Sequence, residues 1–285
     1  MLADAIRAEG YRLARNRTAL FWSVLFVPIA ALILGIVVSV AAKGNQAELA
    51  EVSAELGMVS EPLNLGVALL DNTASLAGGP LLLFVLIGAA TLYAGDYRWE
   101  TWRLIRARNR RPNLILAKLA ALTLLAFAAM IALLVFSMIG EPIRAAIFER
   151  DVTFSLDGEQ IGAVLGLFGL GWLRIVQFTM VALLAAVATR SLLAALFVPM
   201  ALGAAQAFGA PVLGGMGVAG DSWLFQLLLP GQAYDVLKGL LLGGEGAPGV
   251  PAVLQAKAWI SLIGWTILPL LATLAIFERQ DLSKE

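Results

Sequence analysis

The sequence predicts an all-α fold: a polytopic membrane protein with six transmembrane helices, an N-terminal interfacial helix and an outer re-entrant helical hairpin between spans five and six. Three observations predict it. Of the 285 residues 60% are hydrophobic and 14% charged, with a mean hydropathy of +0.86, whereas a water-soluble domain is about half apolar. The charges are gathered into short intervals separated by uncharged stretches of the ~20 residues that a helix needs to cross ~30 Å of hydrocarbon. Lysine and arginine concentrate on alternate intervals, as cytoplasmic loops require. With no cysteine and no histidine, the chain cannot form disulfides, offer thiolate nucleophiles, build Cys or His metal sites or carry a Ser-His-Asp triad. Twenty basic residues balance twenty acidic ones, which leaves no basic excess to hold nucleic acid.

Residues 1–17 are expected to form a cytoplasmic interfacial helix. At about 100° per residue, Leu2, Ile6 and Leu13 fall within about 40° of one another while Arg7, Tyr11 and Arg15 point the other way. Those arginines would meet anionic headgroups; Glu9 lies close to the apolar arc and weakens the pattern. A disordered basic leader is the alternative. A cleavable signal peptide fits less well, because the apolar run Thr18 to Ala42 holds 25 residues, beyond the ~7 to 15 of such a sequence, and Asp4 and Glu9 sit in what would be its basic region.

The first span then covers about 18–42, and the others follow at about 73–94, 114–140, 161–189, 191–210 and 258–277. They make one transmembrane domain, 18–282, closed by a short cytoplasmic tail, 283–285. The apolar stretch after Arg190 runs on to Gly220, and Pro211 with Gly214, Gly215, Gly217 and Gly220 is expected to break its helix near residue 210. Residues 211–257 hold no further span: Trp223 to Leu229 and Ala233 to Leu242 are short pieces broken at Pro230-Gly231. An outer hairpin or a plain outer loop with surface helices would both fit, and the hairpin obeys the rule that non-helical backbone at membrane depth is covered by protein or faces water. Gly162, Gly166, Gly169 and Gly171 give span four a small-residue face, suited either to a neighbouring helix of the same chain or to a second copy.

Orientation follows from the basic residues. With both ends inside, the inner segments hold 14 of them, including six arginines from Arg98 to Arg111, and the outer loops hold 5: Lys43, Arg144, Arg150, Lys238 and Lys257. Both termini are therefore expected in the cytoplasm. The remaining one, Arg174, is the single charge near the middle of an expected span, Lys118 standing at the mouth of span three. An arginine at mid-bilayer costs about 2.5 to 3.5 kcal/mol, so it should face protein or water. No acid lies in any other expected span, which leaves helix carbonyls, Gln177, Gln206, a lipid phosphate or an anionic substrate group to compensate it. Arg174 is thus a candidate for lining a pathway or binding lipid, or else a tolerated structural charge.

Between spans two and three, about 96–111, Trp99, Trp102 and Ile105 recur every third residue, and Asp96, Glu100, Arg103 and Arg110 lie opposite. Pro112 is expected to end this segment. By themselves the residues suit either a short amphipathic helix or a positive-inside loop with interfacial tryptophans. The run Asp96-Tyr-Arg-Trp-Glu-Thr101, then Leu104-Ile105, Arg110-Arg111 and Lys118 at the mouth of span three, resembles the coupling-helix loop of the type 2 ABC transporter permeases. Glu100 stands where that family usually has glycine, and Asn109-Arg110-Arg111-Pro112 places its proline after the arginines. The Arg-rich N-terminal helix with Glu9 and the closing Phe277-Glu-Arg-Gln-Asp-Leu282 are also similar to the family's ends.

The resemblance implies the permease subunit of an ABC exporter in the cell inner (plasma) membrane, a transport subunit rather than an enzyme. It implies ATPase-coupling contacts by Asp96, Trp99, Glu100, Thr101, Trp102 and Ile105, two copies of this chain in the bilayer, and two ATP-binding subunits that carry the ATP and Mg, with no cofactor on this chain. None of the lysines precedes Ser or Thr, so the phosphate-cradling loop of an ATPase is absent from the sequence. A secondary transporter or channel working without ATP would call for spans one to three to recur inverted in four to six, and the tryptophan-bearing basic loop has no counterpart after span five. A permease relative that couples ATP hydrolysis to a periplasmic process without export remains a third reading. Tyr234-Asp235 does not make an intramembrane aspartyl protease, whose second carboxylate comes from Gly-x-Gly-Asp; this chain has Val218-Ala-Gly-Asp221.

Overall fold

The computed structural model describes residues 2–44, 62–98, 109–243 and 249–280. Among them run α1 (Leu2–Arg15), α2 (Arg17–Gly44), α3 (Leu65–Ser75), α4 (Gly79–Arg98), α5 (Arg111–Ile147), α6 (Gly158–Thr189), α7 (Leu192–Gly215), α8 (Trp223–Leu228), α9 (Pro230–Leu242) and α10 (Ala252–Arg279). Six of these, α2, α4, α5, α6, α7 and α10, are long and apolar enough to cross a membrane. Two short strands, β1 (Leu63–Asn64) and β2 (Val152–Thr153), pair in parallel with Leu63 opposite Val152. The chain is an all-α, multi-pass membrane protein.

α6 is the central helix. Of its most apolar 18-residue window 83% is buried, against 17% for α2 and for α7, which therefore present most of their surface outward. It starts at a capping box in which Asp157 accepts from the Gln160 backbone and the Gln160 side chain accepts from the Asp157 backbone, satisfying two donors that have no partner within the helix. It ends where Arg190 turns left-handed, at φ 55°. Around it the largest core joins Leu13, Tyr93, Ile115, Leu122, Leu183 and Phe277 from five helices.

Several boundaries differ from those read in the sequence. The second span begins at Gly79 rather than near 73, because the chain breaks at Leu76–Gly78 and restarts at Gly79-Pro80, whose proline has no N–H to continue the preceding helix. α5 runs past the expected end at 140, through Pro142, for 37 residues, about 55 Å at 1.5 Å per residue. This extension carries Glu141, buried and bonded to Asn72 at 3.0 Å and to Arg144. The expected break near 210 does not occur. Pro211 stays within α7, since a proline's fixed φ is helical and it removes a single bond. The helix stops beyond Gly215, and Gly217 at φ 79° then takes a turn that L side chains rarely adopt.

The apolar arc expected on α1 is also rotated. Its buried residues are Ala5, Glu9 and Leu13, whereas Leu2 is 38% exposed. Glu9 turns inward because basic partners wait there, which an apolarity count cannot register. On α6, Gly166 lies against Leu241 and Gly171 against Met130, so half of the small-residue face is used within the chain, while nothing crowds Gly162 or Gly169.

α2 meets α4 through a π-helical segment, Phe21–Phe26. This wider turn sets Trp22 and Phe26 against Phe84, with ring centroids 6.0 and 4.7 Å apart, and drives Ser23 into α4. A Cβ at Gly88 would stand 2.3 Å from Ser23 Oγ. Gly88→Ala is therefore expected to cost about 1 to 2 kcal/mol by overpacking, measured by unfolding in mixed micelles. Adding Ser23→Ala should recover much of it; no recovery would mean that the contact is not what limits position 88.

Candidate functional site

Two polar constellations stand out among the described residues. The first sits where α1, the end of α4 and the start of α5 converge. Asp96 has no exposed surface; its Oδ1 accepts from Arg12 Nη2 at 2.6 Å and its Oδ2 lies 2.5 Å from Lys118 Nζ. Lys118, 1% exposed, also donates to the Leu92 carbonyl oxygen at 2.8 Å and lies 3.7 Å from Glu9. Glu9 in turn accepts from Arg12 at 2.9 Å. Among the described residues two acids face two bases, and this pairing makes the burial of Glu9, Asp96 and Lys118 tolerable, while the Arg12 side chain keeps 43% of its surface exposed. Partial burial opposes the Arg12 charge, but the bonds to Asp96 and the nearby Glu9 outweigh it and hold the guanidinium above its ordinary range.

Beside this cluster, Arg111 Nη1 donates to the carbonyl oxygens of Phe277, Glu278 and Gln280 at 2.8, 2.5 and 2.9 Å. Tyr97 Oη donates to Gln280 Oε1 at 2.9 Å, and Gln280 Nε2 donates to the Val187 carbonyl. α1, the end of α4, the start of α5, the end of α10 and the α6–α7 turn thus share one end of the helix bundle. At the opposite end Lys43 pairs with Glu149 at 2.7 Å and holds that carboxyl below its usual range, and Asn64 bonds Ser155 at 2.6 Å.

The second constellation surrounds Arg174, the seventeenth residue of the 32 in α6. Its Nη1 donates to Gln177 Oε1 at 2.5 Å and its Nη2 to Gln206 Oε1 of α7 at 2.6 Å. Both are partners that the sequence offered. The guanidinium lies over Phe178, 4.6 Å from the ring centroid, with Tyr234 at 5.9 Å. Among the described residues no carboxylate reaches ion-pair distance; Asp235 lies only within its electrostatic field. The turn between α8 and α9 descends to this depth. A Cβ at Gly231 would stand 3.1 Å from Arg174 Nη2 and from Gln206 Oε1, and one at Gly209 would strike Leu229. A cavity of about 470 Å³ opens here, bordered by Arg174, Gln206, Gly231, Asp235, Lys238 and Gly78.

Of the residues read as ATPase contacts, Asp96 lies in the first constellation, bound from two sides. Trp99, Glu100, Thr101, Trp102 and Ile105 lie outside the described residues. The sequence reading missed that Glu9, Arg12 and Lys118 meet Asp96; the available signal was that each stands at the mouth of a span, where a charge can be buried only if paired. It also missed Lys238 and Asp235 as neighbours of Arg174. No protein-family profile and no curated protein matches the chain.

Proposed function

We propose that the chain is the permease subunit of an ABC exporter, which as a dimer forms the substrate pathway and is driven by a separate ATP-binding subunit. In this reading it spans the cell inner (plasma) membrane with both termini in the cytoplasm. The observation that carries it is the anchoring of the 96–111 loop. Asp96, in the last turn of α4, is bonded to Arg12 of α1 and Lys118 of α5, and Arg111, the first residue of α5, holds the final turn of α10. A loop rooted in this way passes a push to spans two, three and six and to the interfacial helix, which is what coupling to an ATPase requires. Trp99, Glu100, Thr101, Trp102 and Ile105 make the contact, and Asp96 braces its root. α8 and α9 form a re-entrant hairpin capping the outer end, supported by the packing of Leu229 and Gly231 at the depth of Gly209 and Arg174.

The test of coupling is co-purification with the ATP-binding subunit. Trp102→Ala and Thr101→Arg should leave the permease inserted and dimeric yet reduce the bound ATPase roughly tenfold, about 1.4 kcal/mol of binding. Unchanged capture and unchanged hydrolysis in both variants would make the segment an ordinary basic loop.

Orientation is checked separately, because the natural chain has no cysteine. Single cysteines at Ser155 and Ala219 should react with an impermeant maleimide added outside cells, and ones at Ala3 and Arg279 only after permeabilisation. The reverse pattern would overturn the cytoplasmic placement of the termini.

A further inference from the structure

We propose that the cavity at the α8–α9 turn binds a singly charged oxyanion, a carboxylate or phosphodiester group, held by Arg174. The first ground is an uncompensated charge. Arg174 is 9% exposed, and Gln177 and Gln206 occupy two of its five N–H groups with neutral amide oxygens. An amide oxygen orients a guanidinium but does not neutralise it. Its Cζ sits 4.6 Å from the centre of the Phe178 ring and both Nη atoms are bonded to glutamine oxygens, so the guanidinium is already oriented. Gln177 Nε2, on a side chain 2% exposed, has no hydrogen-bond partner among the described residues, a further donor buried beside the cation.

The second ground is the shape and field of the space. About 470 Å³ falls within the roughly 300 to 1,000 Å³ of ligand pockets. Two helices begin on its wall, α4 just after Gly78 and α9 at Pro230-Gly231, and each brings the positive end of its dipole; at α9 Pro230 has no N–H, and those of Gln232 and Ala233 go to the Leu229 carbonyl, which leaves that of Gly231. Interrupted helices whose starts face a cavity at membrane depth are suited to anionic groups. Glycine at 231 keeps the approach open, since a Cβ there would stand against Arg174 Nη2. The third ground sets the valence: Asp235 and Lys238 border the same cavity with opposite charges, leaving the single positive charge of Arg174. The Asp235 carboxylate therefore disfavours a doubly charged group.

Such a group has two sources, the headgroup of a bilayer lipid or an anion entering from solution. The purified full-length chain, in neutral detergent, is titrated with phosphatidylglycerol, with phosphatidylcholine of the same acyl chains, with dimethyl phosphate and with acetate, and its unfolding temperature is followed. The expected result is a saturable rise with at least one monoanion and none with phosphatidylcholine, weakened at least tenfold by Arg174→Gln and severalfold by Lys238→Gln. A response to phosphatidylglycerol alone assigns the site to lipid; a response to dimethyl phosphate or acetate assigns it to a free anion. The proposal falls if no monoanion gives a saturable rise, if phosphatidylcholine acts equally, or if both variants respond like the parent. Should Arg174→Gln not purify folded, Lys238→Gln decides by the same criterion. No ATP-binding subunit takes part, so the outcome is independent of the coupling test.

Discussion

Lys118→Met is expected to destabilise the protein by about 3 to 5 kcal/mol, the cost of removing one member of a buried ion pair. The partner is Asp96, 2.5 Å away, and the two side chains are 1% and 0% exposed. Methionine replaces the volume of the lysine stem but not its charge, so the buried Asp96 and Glu9 would lose one of the two bases that face them among the described residues. The Leu92 carbonyl would also lose the lysine as a donor. Asp96→Leu should cost about as much for the mirror reason. The double variant should cost no more than either single one, because it leaves the Glu9–Arg12 pair at 2.9 Å intact and removes two opposite charges together. A coupling of about 3 kcal/mol or more, the two single losses together less that of the double, is the expected reading of this cycle, from unfolding curves in mixed micelles. Additive losses would show that the two side chains act independently despite their contact.

Arg111→Ala is the second large effect, about 2 to 3 kcal/mol. One charged nitrogen serves the carbonyls of Phe277, Glu278 and Gln280. Charged hydrogen bonds are worth about 1.5 to 3 kcal/mol each, but three that share a donor do not add. The cation also opposes the negative end of the α10 dipole. Loss of the tether should appear as faster hydrogen exchange across 276–280, while the Asp96 cluster stays protected. Arg111→Lys keeps the charge and loses the planar fork, so it should recover about half of the stability. Equal loss in both variants would mean that the geometry of the fork matters and its charge does not; no loss in either would mean that α10 is held by its packing alone.

Both effects concern charges at the mouths of spans, where the reading of the sequence was least complete. The six long apolar helices were legible because hydrocarbon length and the exclusion of charge are one-dimensional constraints, written in consecutive residues. The two short pieces after α7 were legible for the same reason, with Pro230 and Gly231 as punctuation. Arg174 announced itself as a lone charge, and its partners could be named because Gln177 and Gln206 were among the few polar side chains within reach. Boundaries were less legible. Whether Pro211 ends a helix depends on what surrounds it, as does the break before Pro80, and neither neighbourhood is local in sequence.

What the sequence by itself determined, then, is the number and rough extent of the spans, since each follows from the local balance of apolar and charged residues. What only the tertiary structure decided is which charges meet. Arg12 and Asp96 are 84 positions apart, and the turn at Gly231 reaches Arg174 across the whole of α7. Electrostatic energy depends on distances between side chains and on the low dielectric around them, and both quantities exist only after the helices have packed.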